Sequence, residues 1–111
     1  MIGLHLIVDG VVKNNVDKET IMRILCELPD LIDMHILSGP HIVMGVPENP
    51  GWTGFDIIDK SHIAIHTFSD SSIVSVDVYS CKPFKTEIVL NYLENNLSYD
   101  KINTKVLIRE I

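Results

Sequence analysis

Cysteine is scarce in this chain, and no apolar run is long. Cys26 and Cys81 are the only thiols. Neither belongs to a C-x-x-C pair or to a zinc-ligand spacing, so the sequence offers neither a disulfide framework nor a thiolate metal centre. A Cys26–Cys81 bridge is not expected. No apolar stretch approaches the roughly 20 residues that span a membrane. The opening segment, Met1 to Gly10, is short and carries His5 and Asp9, unlike a secretory leader. Positive charge is also in short supply: nine Lys and Arg stand against 15 Asp and Glu, a net charge of −6. That balance argues against phosphate-driven binding of nucleic acid and suits a cationic small molecule. Solenoid-length repeats, linkers and low-complexity segments are absent as well. These absences give the expectation of a soluble cytoplasmic protein that binds neither nucleic acid nor membrane.

What is present fits one globular domain spanning residues 1–111. The chain is 46% hydrophobic and 22% charged, and its length is enough to bury a core without staples. "IGLHLIVDGVV" reads as a buried strand. "NNVDKETIMRILCELPDLI" reads as a helix capped by Asp17, with Ile21, Ile24, Leu25 and Leu28 at helical spacing and Pro29 marking its end. "MHILSGPHIVMGV" is a strand with a break at Ser38-Gly39-Pro40. "PENPGWTG" is the strongest turn signal. "FDIID", "SHIAIHTF" and "IVSVDVYSC" follow as strands, the last two joined by the loop "SDSS". "KPFKTEIVLNYLENNL" is a second amphipathic helix, with Pro83 near its first turn, and "INTKVLIREI" closes the chain as a strand. The order β-α-β-β-β-β-α-β predicts an α+β fold, an antiparallel sheet with two helices packed on one face in a two-layer sandwich. The other face must be solvated or covered. Several strands are apolar on both sides, so a homodimer through the open face is expected.

Ser61, His66 and Cys81 place three nucleophiles or proton carriers in one pair of neighbouring strands. Ser61 and His66 share a strand, so their side chains face opposite ways unless the chain bends at Lys60-Ser61. Cys81 ends the next strand, which returns antiparallel beside Ser61. Spacing alone also fits two ordinary strand histidines, His62 and His66, and a small core cysteine. A Ser-His-Asp hydrolase is disfavoured, because no G-x-S-x-G elbow surrounds Ser61. A metal site on His62 and His66 would need further ligands, with His35 and His41 as the available ones, and no metal is expected.

"KSHIAIHTF" followed by "VSVDVYSC" resembles the short, prokaryotic-type S-adenosylmethionine decarboxylases. That family carries E-S-H-x-x-I-H-T-[WY] and then V-D-[LVI]-[FY]-[TS]-C. Both the serine-to-histidine and the serine-to-cysteine offsets match. The resemblance extends over most of the chain, through an N-terminal strand with His5-Leu6, a helix, the Gly51-Trp52-Thr53-Gly54 turn, the hairpin, a helix and a strand. It implies that Ser61 is a cofactor precursor. Its hydroxyl would attack the carbonyl of Lys60, the amide would become an ester, and β-elimination would cut the chain. The new N-terminus at position 61 would become a pyruvoyl group, an electron sink for decarboxylation. The implied substrate is S-adenosylmethionine, and the product is the aminopropyl donor for spermidine synthesis. By the same resemblance, Cys81 returns a proton to the substrate's α-carbon, His66 and Thr53 assist processing, and Asp70 holds ribose hydroxyls.

Two departures stand beside the match. Lys60 replaces the glutamate before the serine; the acyl shift uses the carbonyl of that residue and not its side chain, while Asp56 or Asp59 could neutralise the lysine or equally be ordinary solvated residues. The family's upstream H-x-F element, whose aromatic stacks on adenine, is replaced by "GVPENPGWTG", where Trp52 is either a substitute stacking face or a turn anchor. These departures keep two alternatives in view. One is a pyruvoyl decarboxylase of a basic amino acid such as arginine or ornithine. The other is an unprocessed homologue that binds a ligand or a protein partner.

Overall fold

The structure is a computed structural model that describes residues 1–111. β1 (Gly3–Val12), β2 (Ile36–Met44), β3 (Trp52–Ile58), β4 (Ser61–Phe68), β5 (Ile73–Ser80) and β6 (Tyr99–Arg109) form one sheet in the order β2-β3-β4-β5-β1-β6. Every neighbouring pair is antiparallel. α1 (Lys18–Leu31) and α2 (Thr86–Leu97) cover one face. The expected α+β sandwich and element order are therefore the observed ones.

Period-two alternation builds the covered face. Leu6 and Val8 of β1, Ile63 and Ile65 of β4, and Val74, Val76 and Val78 of β5 all turn toward the helices and are buried. Ile21, Ile24, Leu25 and Leu28 of α1 meet them, with Val89, Leu93 and Leu97 of α2, in one cluster of 19 buried residues. Full burial of each such side chain stabilises by roughly 1.5–3 kcal/mol before entropy is counted. Gly54 of β3 lets α1 sit close: a Cβ there would lie 2.7 Å from Ile21 Cγ2 and 2.8 Å from Leu25 Cδ1.

Asp17 caps α1 as expected, its Oδ1 accepting the Thr20 N–H at 2.9 Å. Pro29 does not end the helix, which runs on to Leu31. Proline removes its own donor and crowds the carbonyl four residues back, yet its own carbonyl still closes the last turn by accepting the Ile32 N–H at 3.2 Å. α2 starts later than expected, at Thr86. Pro83 disfavours helical geometry at Lys82, and the Lys82 ammonium is drawn off to the Asp33 main-chain oxygen at 2.8 Å. β3 starts earlier than expected, at Trp52, so the turn is confined to the stretch closed by the Gly45 N–H to Gly51 O bond of 2.8 Å. Gly51 sits at φ +147°, where a Cβ would fall 1.8 Å from Thr67 O, so no other residue fits. β2 has the expected irregularity, with register shifts on both sides of Ser38.

Candidate active site

The residues singled out in the sequence fall at opposite ends of the sheet. At one end the two-residue turn Asp59-Lys60 joins β3 to β4, with Lys60 in the left-handed region at φ 53°. Ser61 is the first residue of β4. The register that pairs His62 with Tyr79 brings Cys81, one residue past β5, against it. The Ser61 hydroxyl donates to the Asp59 main-chain oxygen at 3.0 Å and accepts the Cys81 N–H at 2.8 Å. The Cys81 thiol lies 3.5 Å from the same Asp59 oxygen. Ser61 is only 6% exposed, so water does not compete freely for these bonds.

Cys81 opens onto a cleft of about 320 Å³ that Asp33, His35, Leu37, Asp59 and Lys82 also line. The Lys82 ammonium is paired with the Asp33 carboxylate at 3.3 Å, which leaves Asp59 as the unpaired charge on this wall. Lys60 is exposed and makes no ion pair. Of the two readings of Asp56 and Asp59, as counter-charges for Lys60 or as residues without that role, neither carboxylate forms an ion pair with it. Asp56 shares the parity of Ile58 on β3 and is turned to the helix side, away from Lys60.

At the other end, Thr53 and His66 stand directly across β3 and β4. The Thr53 hydroxyl and His66 Nδ1 are hydrogen-bonded at 3.0 Å. Asp70 lies nearby in the exposed β4–β5 turn. Trp52 packs against the edge of the core, with the Lys18 ammonium 5.8 Å from its ring centroid. The pleat turns Thr53, its neighbour, to the opposite face. Trp52 borders a second cleft of about 380 Å³ with Met44, Val46, Pro50 and Ser69. β4 runs unbroken from Ser61 to Phe68. The chain turns at Asp59-Lys60, before Ser61, and is regular from there on, so Ser61 and His66 stay on opposite faces, about 16 Å apart along the strand at the usual rise. One chain unites Ser61 with Cys81, and Thr53 with His66, but not the two pairs with each other.

Between the two ends, the open face carries a cluster that sequence reasoning missed. His5 Nε2 and Asp77 Oδ1 are 2.9 Å apart. The His62 ring stacks on Phe55 at 5.5 Å and 18°, and lies 5.5 Å from Tyr79. The Arg109 guanidinium sits 4.9 Å from the Tyr79 ring centroid. Burial, and then the neighbouring His5, push the His62 pKa below the usual imidazole value. The available signal was polarity recurring at alternate positions of apolar strands. A further group lies on the helix side: Asp56 is fully buried, and neither carboxyl oxygen has a hydrogen-bond partner. Desolvation raises its pKa from 3.8 to about 7.

Residues 4–110 match the family described as S-adenosylmethionine decarboxylase. The S-adenosylmethionine decarboxylase proenzyme of Hydrogenobaculum sp. is 33% identical over 113 residues, covering 99% of this chain and 83% of that protein. The proenzyme of the same name from Clostridium botulinum (strain Langeland) is 30% identical over 112 residues, covering 96% and 93%. The crystal structure of the adenosylmethionine decarboxylase from Aquifex aeolicus superposes with a TM-score of 0.80 at 30% identity, covering 99% of this chain and 92% of that one. On a full-length match in sequence and in fold, the chain belongs to the S-adenosylmethionine decarboxylase family.

Proposed function

We propose that the protein is a self-processing decarboxylase of S-adenosylmethionine whose working carbonyl, a pyruvoyl group, is made from Ser61. The product is the aminopropyl donor for spermidine synthesis. The observation that carries this reading is the position of the Ser61 hydroxyl, held between Asp59 O and the Cys81 N–H, groups of the two residues beside it that line the cleft. The residues present fit the group. Position 61 adjoins the cleft, a hydrogen-bond donor already points at its side-chain oxygen, and an exchangeable proton is next to it on Cys81.

Once formed, the pyruvoyl group supplies an electron sink for loss of carbon dioxide. The chain's own residues do the rest. Cys81 holds the proton that the substrate's α-carbon receives. The unpaired Asp59 carboxylate faces the cleft and opposes the cationic charge of the substrate. The ion pair with Asp33 keeps Lys82 from repelling it.

His66, Thr53 and Asp70 enter the site from a second copy of the chain. A two-fold axis between two facing sheets, running across their strands, lays β4 on β4 in reverse and brings each Ser61 end to the other's His66 end. Open faces pack about 10 Å apart in such sandwiches, and Phe55, Tyr79 and Leu107 supply apolar surface for the contact. A homodimer is therefore part of the proposal, as is a cytoplasmic location. No helix is long and apolar enough to cross a membrane.

The test is release of labelled carbon dioxide from carboxyl-labelled S-adenosylmethionine, with arginine and ornithine in parallel. Preferential release from S-adenosylmethionine supports the proposal. Preference for a basic amino acid reassigns the substrate. Absence of release from all three, with an uncut chain, identifies a binding homologue.

A further inference from the structure

We propose that the main-chain N–H of Cys81 is a catalytic donor in chain cutting, placed to stabilise the oxygen that leaves the β-carbon of residue 61. The inference rests on the processing reading above and assigns a group to its second step.

In the uncut chain every valence of the Ser61 oxygen but one is committed. Its proton goes to Asp59 O at 3.0 Å, and one lone pair takes the Cys81 N–H at 2.8 Å. The remaining lone pair is free for the carbonyl carbon of Lys60. In the acyl shift the oxygen bonds that carbon, the Lys60–Ser61 C–N bond breaks, and the hydroxyl proton ends on the new amino group. This step leaves no net charge on the oxygen, which is now the alkyl oxygen of an ester.

Elimination is different. A base removes the Cα proton, a Cα–Cβ double bond forms, and the Cβ–O bond breaks with its electron pair going to oxygen. That oxygen becomes half of the Lys60 carboxylate. Negative charge therefore appears on the atom at which the Cys81 N–H already points. A neutral hydrogen bond becomes a charge-assisted one, so the donor is worth more in the transition state than before it.

The fold holds this donor rigidly. Cys81 is the first residue past β5, where the ladder no longer uses its N–H. On one side Ser80 is fully buried, and its hydroxyl accepts the next amide, Lys82 N–H, at 3.1 Å. The turn is thus pinned on both sides of the donor. Cys81 then serves twice, with its amide in maturation and its thiol in decarboxylation.

The test replaces cysteine 81 by its α-hydroxy counterpart, using a chemically acylated suppressor tRNA in cell-free translation. This change removes the N–H and keeps the thiol. A control chain carries the α-hydroxy counterpart of valine at position 12, removing an amide that donates to Ser72 O at 2.9 Å. Masses are followed with and without hydroxylamine, which opens the 60–61 ester and releases residues 1–60 as a hydroxamate; cleavage at the introduced ester yields a fragment of different mass. The expected result is spontaneous cutting slowed by about tenfold or more, with hydroxylamine still releasing residues 1–60 at the parent rate. That release also shows that the altered chain folds and performs the shift. Cutting within about threefold of the parent, or equal slowing in the control, overturns the proposal. A parent chain that neither cuts nor yields to hydroxylamine overturns the processing reading instead, and this inference with it.

Discussion

Ser61 and His66 occupy one unbroken strand and point to opposite faces of the sheet. About 16 Å of strand separates them at the usual rise per residue. On the proposed reading, the histidine that assists at Ser61 comes from another copy. Co-expression of a Ser61→Ala chain with a His66→Ala chain checks this. The His66→Ala chain should be cut, because its Ser61 meets the partner's histidine, while the Ser61→Ala chain stays whole. Mass spectrometry of differently tagged chains reads the outcome. If neither chain is cut in the mixture and both fold, the two residues do not act across an interface.

Cys81 is asked to return a proton and not to cut the chain with its thiol. Cys81→Ala should therefore mature, while carbon dioxide release falls by about 10²–10⁴-fold, the usual contribution of a positioned acid or base. Cys81→Ser should recover a small part of the loss. Loss of maturation in both variants would place the thiol in processing.

Lys60 is an exposed, unpaired cation that follows Asp59, a lining residue of the cleft proposed for a sulfonium substrate. Like charges about 4 Å apart cost on the order of 1 kcal/mol in water. Lys60→Ala should lower KM for S-adenosylmethionine by a few-fold, with the gain shrinking as salt is added. Cutting should continue, since the shift uses the main-chain carbonyl. An unchanged KM at low salt would mean that the ammonium points away from the substrate.

Asp56 gives stability a pH dependence of defined sign. Its folded-state pKa is raised to about 7, against an ordinary 3.8. Below about pH 4 both folded and unfolded chains hold the proton, and its contribution is fully present. Between pH 4 and 7 the unfolded chain ionises while the folded one does not, so stability is lost as pH rises. The difference between the parent and Asp56→Asn should change by on the order of 4 kcal/mol across that window. Urea unfolding at pH 4.5 and pH 8 measures it. Parallel pH profiles for the two proteins would mean that Asp56 is solvated.

Much of this was legible because period-two and period-3.6 patterns are written by burial. The alternation of Ile63 and Ile65 with His62 and His66 reads directly as β4, and the spacing of Ile21, Ile24, Leu25 and Leu28 as α1. Element starts were less legible. Gly51 and Gly54 make Trp52-Thr53 look like part of a turn, yet Gly51 is there to pass Thr67 and Gly54 to admit α1. Asp56 reads as a counter-charge for Lys60 or a solvated residue, but the parity of Gly54 and Ile58 places it inside. In the site, Ser61 and Cys81 meet as the hairpin register requires. The split between Ser61 and His66 also follows from strand parity. The proposed second copy is hinted at only by strands apolar on both sides, and its register against the first is not written in one sequence.

The most direct measurement is the intact mass of the purified protein under denaturing conditions. Two fragments are expected, residues 1–60 ending at Lys60 and residues 61–111 with a blocked pyruvoyl terminus. A single uncut chain that persists through long incubation, and that hydroxylamine does not cleave, would contradict the conversion of Ser61.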